Sequence, residues 1–415
     1  MKSIKLPANG PRYSFARIGY AALAIGALAL AGCGTTTASA SGSAAGAGTS
    51  PATHSASAPA AAGSHISGTA GASASFSVES MTFVSDDQGF ALGRKRCGAA
   101  YCAELLATSN GGTSWHRLAA PTRTLGGVYS TCPAQSPCVS QIRFATPELG
   151  YAFDPQLYVT TNGGSTWHRV TGKSVTSLEA ADGNAVRVAS KGEGCSGMPY
   201  QVQQAAVGTA DWHTLTAPKI IMICPPVLYR QGTRLVLAGY GNPAGGVRAT
   251  AQVARSANDG ASWKIGPDQC GGTDGYASTV ALAPPNALVM LCQHQRPEKN
   301  GTFRPAFVRI STDGGSAFGP DQTVSAPTGR PGEILGYQLA AASPSRLLVA
   351  VTSTHGSRIE LSQDGGRTWT TTLTPNGTGN VLLVGYEDAD TARVAQGDLV
   401  WTTRNGGRTW TADHF

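Results

Sequence analysis

Between Gly34 and Ser75 this 415-residue chain has no Asp, Glu, Lys or Arg. Almost every residue in that stretch is Ala, Ser, Gly, Thr or Pro, so it cannot bury a core and reads as a flexible, disordered linker. Over its 42 residues a coil would reach roughly 35 Å from end to end. His54 and His65 stand in it singly and read as solvated residues. Other absences exclude function classes. No apolar run reaches the roughly 20 residues of a spanning helix. No sustained helical period with caps follows the linker. There is no His-Glu-x-x-His, no Gly-x-Ser-x-Gly elbow and no phosphate loop. Without a basic helix, an aromatic RNA-binding signature or a zinc finger, nothing points to nucleic acid. No cofactor and no metal are expected.

What stands before the linker is an export signal. "MKSIKLPANGPRYSFAR" is basic without acid, "IGYAALAIGALAL" is an apolar core of 13 residues, and "LAGC" ends the segment at Cys33. This is the layout of a secretory signal. Leu30-Ala31-Gly32-Cys33 resembles the bacterial lipobox, which implies that Cys33 is lipidated and becomes the mature N-terminus. Residues 1–32 are then the signal peptide, 33–75 the lipidated Cys and linker, and the remainder from Phe76 to Phe415 the folded domain. Two or three acyl chains would hold the protein on the outer face of the cell membrane, at about 0.8 kcal/mol per buried CH₂. Removing the signal takes away Lys2, Lys5, Arg12 and Arg17, leaving 27 basic against 24 acidic residues. The basic pI therefore says little about partners.

The folded part is organised by one recurring stretch. "TSNGGTSW" ends at Trp115, "TTNGGSTW" at Trp167, "SANDGASW" at Trp263, "STDGGSAF" at Phe318, "SQDGGRTW" at Trp369 and "TRNGGRTW" at Trp410. An eroded copy, "AAVGTADWHTL", supplies Trp212, and the seven aromatics stand 52, 45, 51, 55, 51 and 41 residues apart. A motif at a fixed interval belongs to the architecture first. Its Gly takes positive φ, its Asn or Asp can bond amides two residues on, and its Trp begins the returning strand and staples the hairpin to its neighbour. A metal or acid/base role fails on composition, because the third position is Asn110, Asn162, Asn258 and Asn405 against only Asp313 and Asp364.

These boxes resemble the Asp-box (BNR) repeats of bacterial sialidases, sortilin-type receptors, xyloglucan-active glycosidases and photosystem II assembly-factor propellers. The resemblance implies that each box is the turn between the third and fourth strands of a propeller blade. The rest of each period, in runs such as "RLLVAVT" and "TARVAQG", has the short apolar character of strands. About 340 residues over seven repeats leave roughly 49 each, close to a propeller blade. The expected fold is all-β, a single seven-bladed β-propeller, with six or eight blades the nearest alternatives.

Eight cysteines follow Cys33: Cys97, Cys102, Cys132, Cys138, Cys195, Cys224, Cys270 and Cys292. Sequence order suggests neighbours paired as disulfides, in keeping with export. Zinc is the rival reading, disfavoured by the absence of any Cys-x-x-Cys and by the spread over four blades.

By resemblance, a sialidase would need an arginine triad, a Tyr paired with Glu, an acidic catalyst and an Arg-Ile-Pro motif. None is recognisable, and "TFRP" at Arg304 lies far from where that motif belongs. No catalytic residue is assigned. Three readings stay open: a non-catalytic cell-surface binding or assembly module, a carbohydrate-active hydrolase, or a structural element of the envelope. An acid pair on one face of the channel would favour the hydrolase. Propeller geometry puts the boxes and the first-to-second turns on one face and the second-to-third hairpins on the other. Acidic residues outnumber basic ones eleven to five on the box face, whereas basic ones lead nine to four on the hairpin face. Arg94, Lys95, Arg96, Arg296, Lys299, Arg304 and Arg358 on the hairpin face are the ligand candidates. The expected partner is an envelope protein, a glycan or an anionic polymer. The membrane is expected to be met through the N-terminal lipid only, and the protein is expected to be a monomer.

Overall fold

The computed structural model describes residues 76–98, 100–126, 137–190, 200–216, 218, 226–241, 250–267, 269–270, 275–294, 305–324, 334–353, 355–377 and 382–415. The expected signal and linker segments, residues 1–75 with Cys33, lie outside them. The described residues contain no helix, and their strands form seven four-stranded antiparallel sheets. Each sheet is built from four consecutive strands, the meander of a propeller blade.

The first strands of the blades are Ser77–Phe83, Gln141–Phe144, Ser174–Ala181, Val227–Gln231, Gly275–Ala283, Ile334–Ala341 and Leu382–Tyr386. Each touches the first strand of the next blade from blade 1 through blade 7, which puts these strands at the centre of the ring. Because each sheet is covered by a neighbour on both faces, strands such as Leu347–Ser353 are apolar without alternation. Seven hydrophobic clusters fill the spaces, and each draws on two adjacent blades. The chain is thus a closed seven-bladed β-propeller, as the spacing predicts. A short parallel pairing of Thr124–Leu125 with Cys138–Val139 between blades 1 and 2 has no counterpart in that reading.

The boxes form one repeated turn. The hydroxyl at the first position accepts from the Gly amide at the fifth: Thr108 from Gly112 at 3.0 Å, Thr160 from Gly164 at 2.9 Å, Ser362 from Gly366 at 2.7 Å. The side chain at the third position accepts from the amide four residues on, as Asn110 does from Ser114 at 3.0 Å and Asp364 from Thr368 at 2.9 Å. The bond expected from the motif, to the amide two residues on, gives way to this longer one. Two successive glycines at positive φ, such as Gly365 at 73° and Gly366 at 84°, fold the loop back far enough to bring the more distant amide within reach. Gly366 is also required by space, since a Cβ there would meet Val308 Cγ2 at 2.8 Å. A further amide of each box donates to the first-to-second turn of its own blade, as in Gly111 to Asp87 O at 2.8 Å and Gly406 to Asp390 O at 2.8 Å. Boxes and first-to-second turns therefore share a face.

The aromatic anchors depart from expectation in two ways. Trp115 and Trp369 stand one residue before the returning strands His116–Leu118 and Thr370–Leu373. All seven anchors are half-buried, because each covers the edge of an interblade cluster and does not enter its centre. Trp115 and Trp369 donate Nε1 to carbonyls inside their own boxes, whereas Trp167 and Trp410 reach Ala119 O at 2.9 Å and Thr372 Oγ1 at 3.2 Å in the preceding blade. In eroded blade 3, Trp212 lies against Tyr151, and the Arg187 guanidinium sits 4.2 Å from its ring. Gln204 and Asn184 of that blade bond Asp259 of blade 4, which also pairs with Arg230 at 3.0 Å.

Two disulfides follow the expected neighbour pairing, Cys97–Cys102 and Cys270–Cys292. Cys138 is also disulfide-bonded. Its expected partner Cys132, together with Cys195 and Cys224, lies outside the described residues.

The ring closes between blades 7 and 1 without a shared strand, because each of those sheets is complete in itself. Side chains and a backbone bond make the seam. Phe415 of blade 7 packs on Phe76 and Trp115 of blade 1 with ring centroids 5.1 and 4.9 Å apart, and within blade 1 Phe83 meets Trp115 edge to face. The Val78 amide donates to Gly397 O at 2.8 Å.

Candidate functional site

Two constellations stand out, one on each face. On the box face, the first-to-second turns of blades 1 and 7 bring Asp86 and Asp388 together across 302 residues of sequence, sharing a hydrogen bond. Desolvation and the adjoining Asp388 raise the Asp86 carboxyl above its ordinary range. Desolvation pushes Asp388 up as well, but amides of Thr391 and Asp390, donating at 2.6 and 2.7 Å, hold it below that range.

Glu387 lies beneath this pair, nearly buried, with burial pushing its carboxyl up to about 7 against the pull of Arg393. Arg393 is fully buried, is ion-paired to Glu387 and stacks 3.5 Å from the Phe83 ring. Its Nη2 donates to Asp86 O at 2.7 Å and to Gly111 O at 3.1 Å, so it spends its donors on blade 1 and its charge on blade 7. The deep part of the cluster is a clasp. Only Asp86 and Asp388, exposed and half-exposed, are open to a ligand. No group of three or more His, Cys, Asp or Glu among the described residues is arranged to hold a metal ion.

On the hairpin face, Gly89–Cys97 and Ala100–Thr108 form the long second-to-third hairpin of blade 1, closed near its tip by Cys97–Cys102. Arg96 faces Tyr101 in the register. Tyr101 is 58% exposed, with the guanidinium carbons of Arg94 and Arg96 at 5.7 and 6.0 Å from its ring. Arg94 lies 3.7 Å from Glu79 and Lys95 lies 3.2 Å from Glu104, which also pairs with Arg117. Within this end of blade 1, Arg94, Lys95, Arg96, Arg117 and Arg123 stand against Glu79 and Glu104, a net positive charge.

Of the other candidates, Arg358 is half-exposed and paired to Glu360 at 2.7 Å in blade 6. Arg296, Lys299 and Arg304 lie outside the described residues. The described candidates are thus not gathered in one place: three share the blade-1 hairpin and one stands in blade 6, two blades away around the closed ring. Tyr101 was missed by the sequence reading, although its place opposite Arg96 beside a disulfide could have marked it. Arg393 and Glu387 gave no such signal, since each looks like an ordinary strand or turn residue.

No protein-family model matches the chain, and no curated protein matches it. Solved structures do. A prolyl endopeptidase structure is 12% identical over 82% of this chain, which spans 50% of that one, with a TM-score of 0.51. A polysaccharide lyase of family PL25, an ulvan lyase, is 9% identical over 82% of this chain and 97% of that one, with a TM-score of 0.50. YCF48 bound to a D1 peptide is 15% identical over 81% of this chain and 92% of that one, with a TM-score of 0.48. Identities this low speak of the backbone alone, and what they share with this chain is the β-propeller architecture.

Proposed function

We propose that this chain is an exported, lipid-anchored and non-catalytic propeller that acts as a binding or assembly module at the cell surface. One observation carries the reading: a disulfide-closed hairpin on a rigid ring holds an exposed Tyr between two arginines. Tyr and Arg are the side chains that dominate recognition surfaces, and pinning the loop lowers the ordering cost of contact. The residues "LAGC" ending at Cys33 support export and anchoring. Capture of envelope proteins, glycans and anionic lipid vesicles by the mature chain is the test. Arg94→Glu with Lys95→Glu and Arg96→Glu should weaken capture of the cognate partner and flatten its salt dependence. If Arg404→Glu with Arg408→Glu on the box face does so instead, the binding face is the other one.

A second reading, a carbohydrate-active hydrolase, is favoured by the Asp86 and Asp388 pair, two carboxyls open to solvent whose surroundings push them in opposite directions, Asp86 up and Asp388 down. Hydrolysis of a glycan panel by the parent, lost in Asp388→Asn, would establish it. The binding reading is preferred because Asp86 and Asp388 touch each other, whereas the paired carboxyls of a glycosidase stand roughly 5 to 9.5 Å apart.

A further inference from the structure

Where the chain enters the ring bears on what the hairpin meets. Phe76 leads into the first strand of blade 1, and Ser77 pairs with Arg94. The segment that precedes the domain therefore joins it at the same end of blade 1 that carries Arg94, Arg96 and Tyr101. If the N-terminus is anchored in a bilayer, as the proposed function holds, this end of the ring is the one nearest the anchor along the chain, and a linker reaching roughly 35 Å lets it meet the lipid.

We infer that the blade-1 hairpin rests on anionic phospholipid headgroups and sets the propeller hairpin face down on the membrane. Three properties fit that surface. The basic residues at this end outnumber the acidic ones five to two, and cations near an anionic leaflet strengthen association by roughly fivefold each. Tyr101 is an exposed ring with a polar tip, the kind of side chain that settles at headgroup level. The surroundings are poor in other apolar groups: among the described residues the exposed large hydrophobics are Tyr101 and Ile265, and Ile265 belongs to blade 4. A protein partner would call for an apolar centre within roughly 800 Å² on each side. A charged headgroup layer requires only cations and one interfacial ring.

The experiment is vesicle sedimentation of the mature chain from Cys33 onward, carrying Cys33→Ser so that no acyl chain contributes. Vesicles of phosphatidylcholine with about one third phosphatidylglycerol should bind it and those of phosphatidylcholine alone should not, with affinity falling as salt rises. Arg96→Glu with Tyr101→Ser should reduce binding at least tenfold. These two are chosen because neither side chain is in an ion pair in the described structure, and an unchanged melting temperature would show that the variant folds. Arg367→Glu with Arg408→Glu on the box face should leave binding as in the parent. No binding to the anionic vesicles, equal loss in the box-face variant, or capture of soluble polyglutamate in preference to vesicles would overturn the inference. Lipidation of Cys33 is read separately by mass spectrometry of the membrane-extracted protein, so failure of the anchor and failure of the headgroup contact are distinguishable.

Discussion

At the third position of a box, Asn and Asp do the same geometric work but differ in how they answer to pH. Asp364 accepts from the Thr368 hydroxyl and amide and from the Ser362 hydroxyl, and these bonds, led by the Thr368 hydroxyl, lower its carboxyl from 3.8 to about 2. Since the folded value lies below the unfolded one, the contribution is fully present above pH 3.8 and is lost as pH falls through about 2. Asn405 makes the corresponding bonds to Thr403 and Thr409 without a titrating group. Asp364→Asn should therefore keep the turn and lose the pH response. Melting temperatures of parent and variant should converge, or cross in favour of the variant, between pH 4 and 2. A constant difference over that interval would mean that the carboxylate is not what holds the turn.

The hairpin formed by the third and fourth strands is the element that the sequence announces most clearly, because its turn needs a hydroxyl, a carboxamide or carboxylate, two successive residues at positive φ and an aromatic in fixed order. Each requirement is local, so six boxes gave six blades, and the spacing of Trp212 gave the seventh. How the aromatic is used was not local. Trp369 lies at the margin of the cluster between blades 5 and 6, with Nε1 bonded to Gly366 O at 2.9 Å. Trp369→Ala should cost about 2 kcal/mol in chemical denaturation, below the roughly 3 to 5 of a fully buried aromatic. A loss below about 0.5 kcal/mol would mean that the ring covers nothing of consequence. The eroded third blade shows the limit of motif reading: Asp259, at a positive φ of 55°, ties blades 3 and 4 through Arg230, Asn184 and Gln204, partners up to 75 residues away. The charged hairpin of blade 1 was legible as a run of three cations, but the exposure of Tyr101 depended on which way a strand faces.

For the whole molecule the decisive contacts are those between blades 7 and 1, and they were illegible, because Asp86 and Arg393 stand more than 300 residues apart with nothing in the neighbourhood of either to pair them. Arg393→Met would remove two bonds to blade 1 carbonyls and leave Glu387 buried without its cation. Breaking one half of a buried pair costs about 3 to 5 kcal/mol. Hydrogen exchange should then quicken first in Ser77–Phe83 and Leu382–Tyr386, the strands on either side of the seam. Uniform acceleration around the ring would instead mean that the seam holds no more than any other pair of blades. Adding Glu387→Met should recover part of the loss, since it is the orphaned charge that is costly.

The completeness of every blade has a consequence for how such a gene can change. Because each sheet is four consecutive strands and the rings of Phe76 and Phe415 touch, a cut in any link between blades separates whole sheets. The coding sequence could be circularly permuted at six places, with the old ends joined by a short bridge, and every sheet would still be read from one uninterrupted stretch. For the same reason an unequal crossover between two boxes inserts or deletes one intact blade's worth of strands, so blade number can drift by duplication while the packing rule between neighbours stays the same.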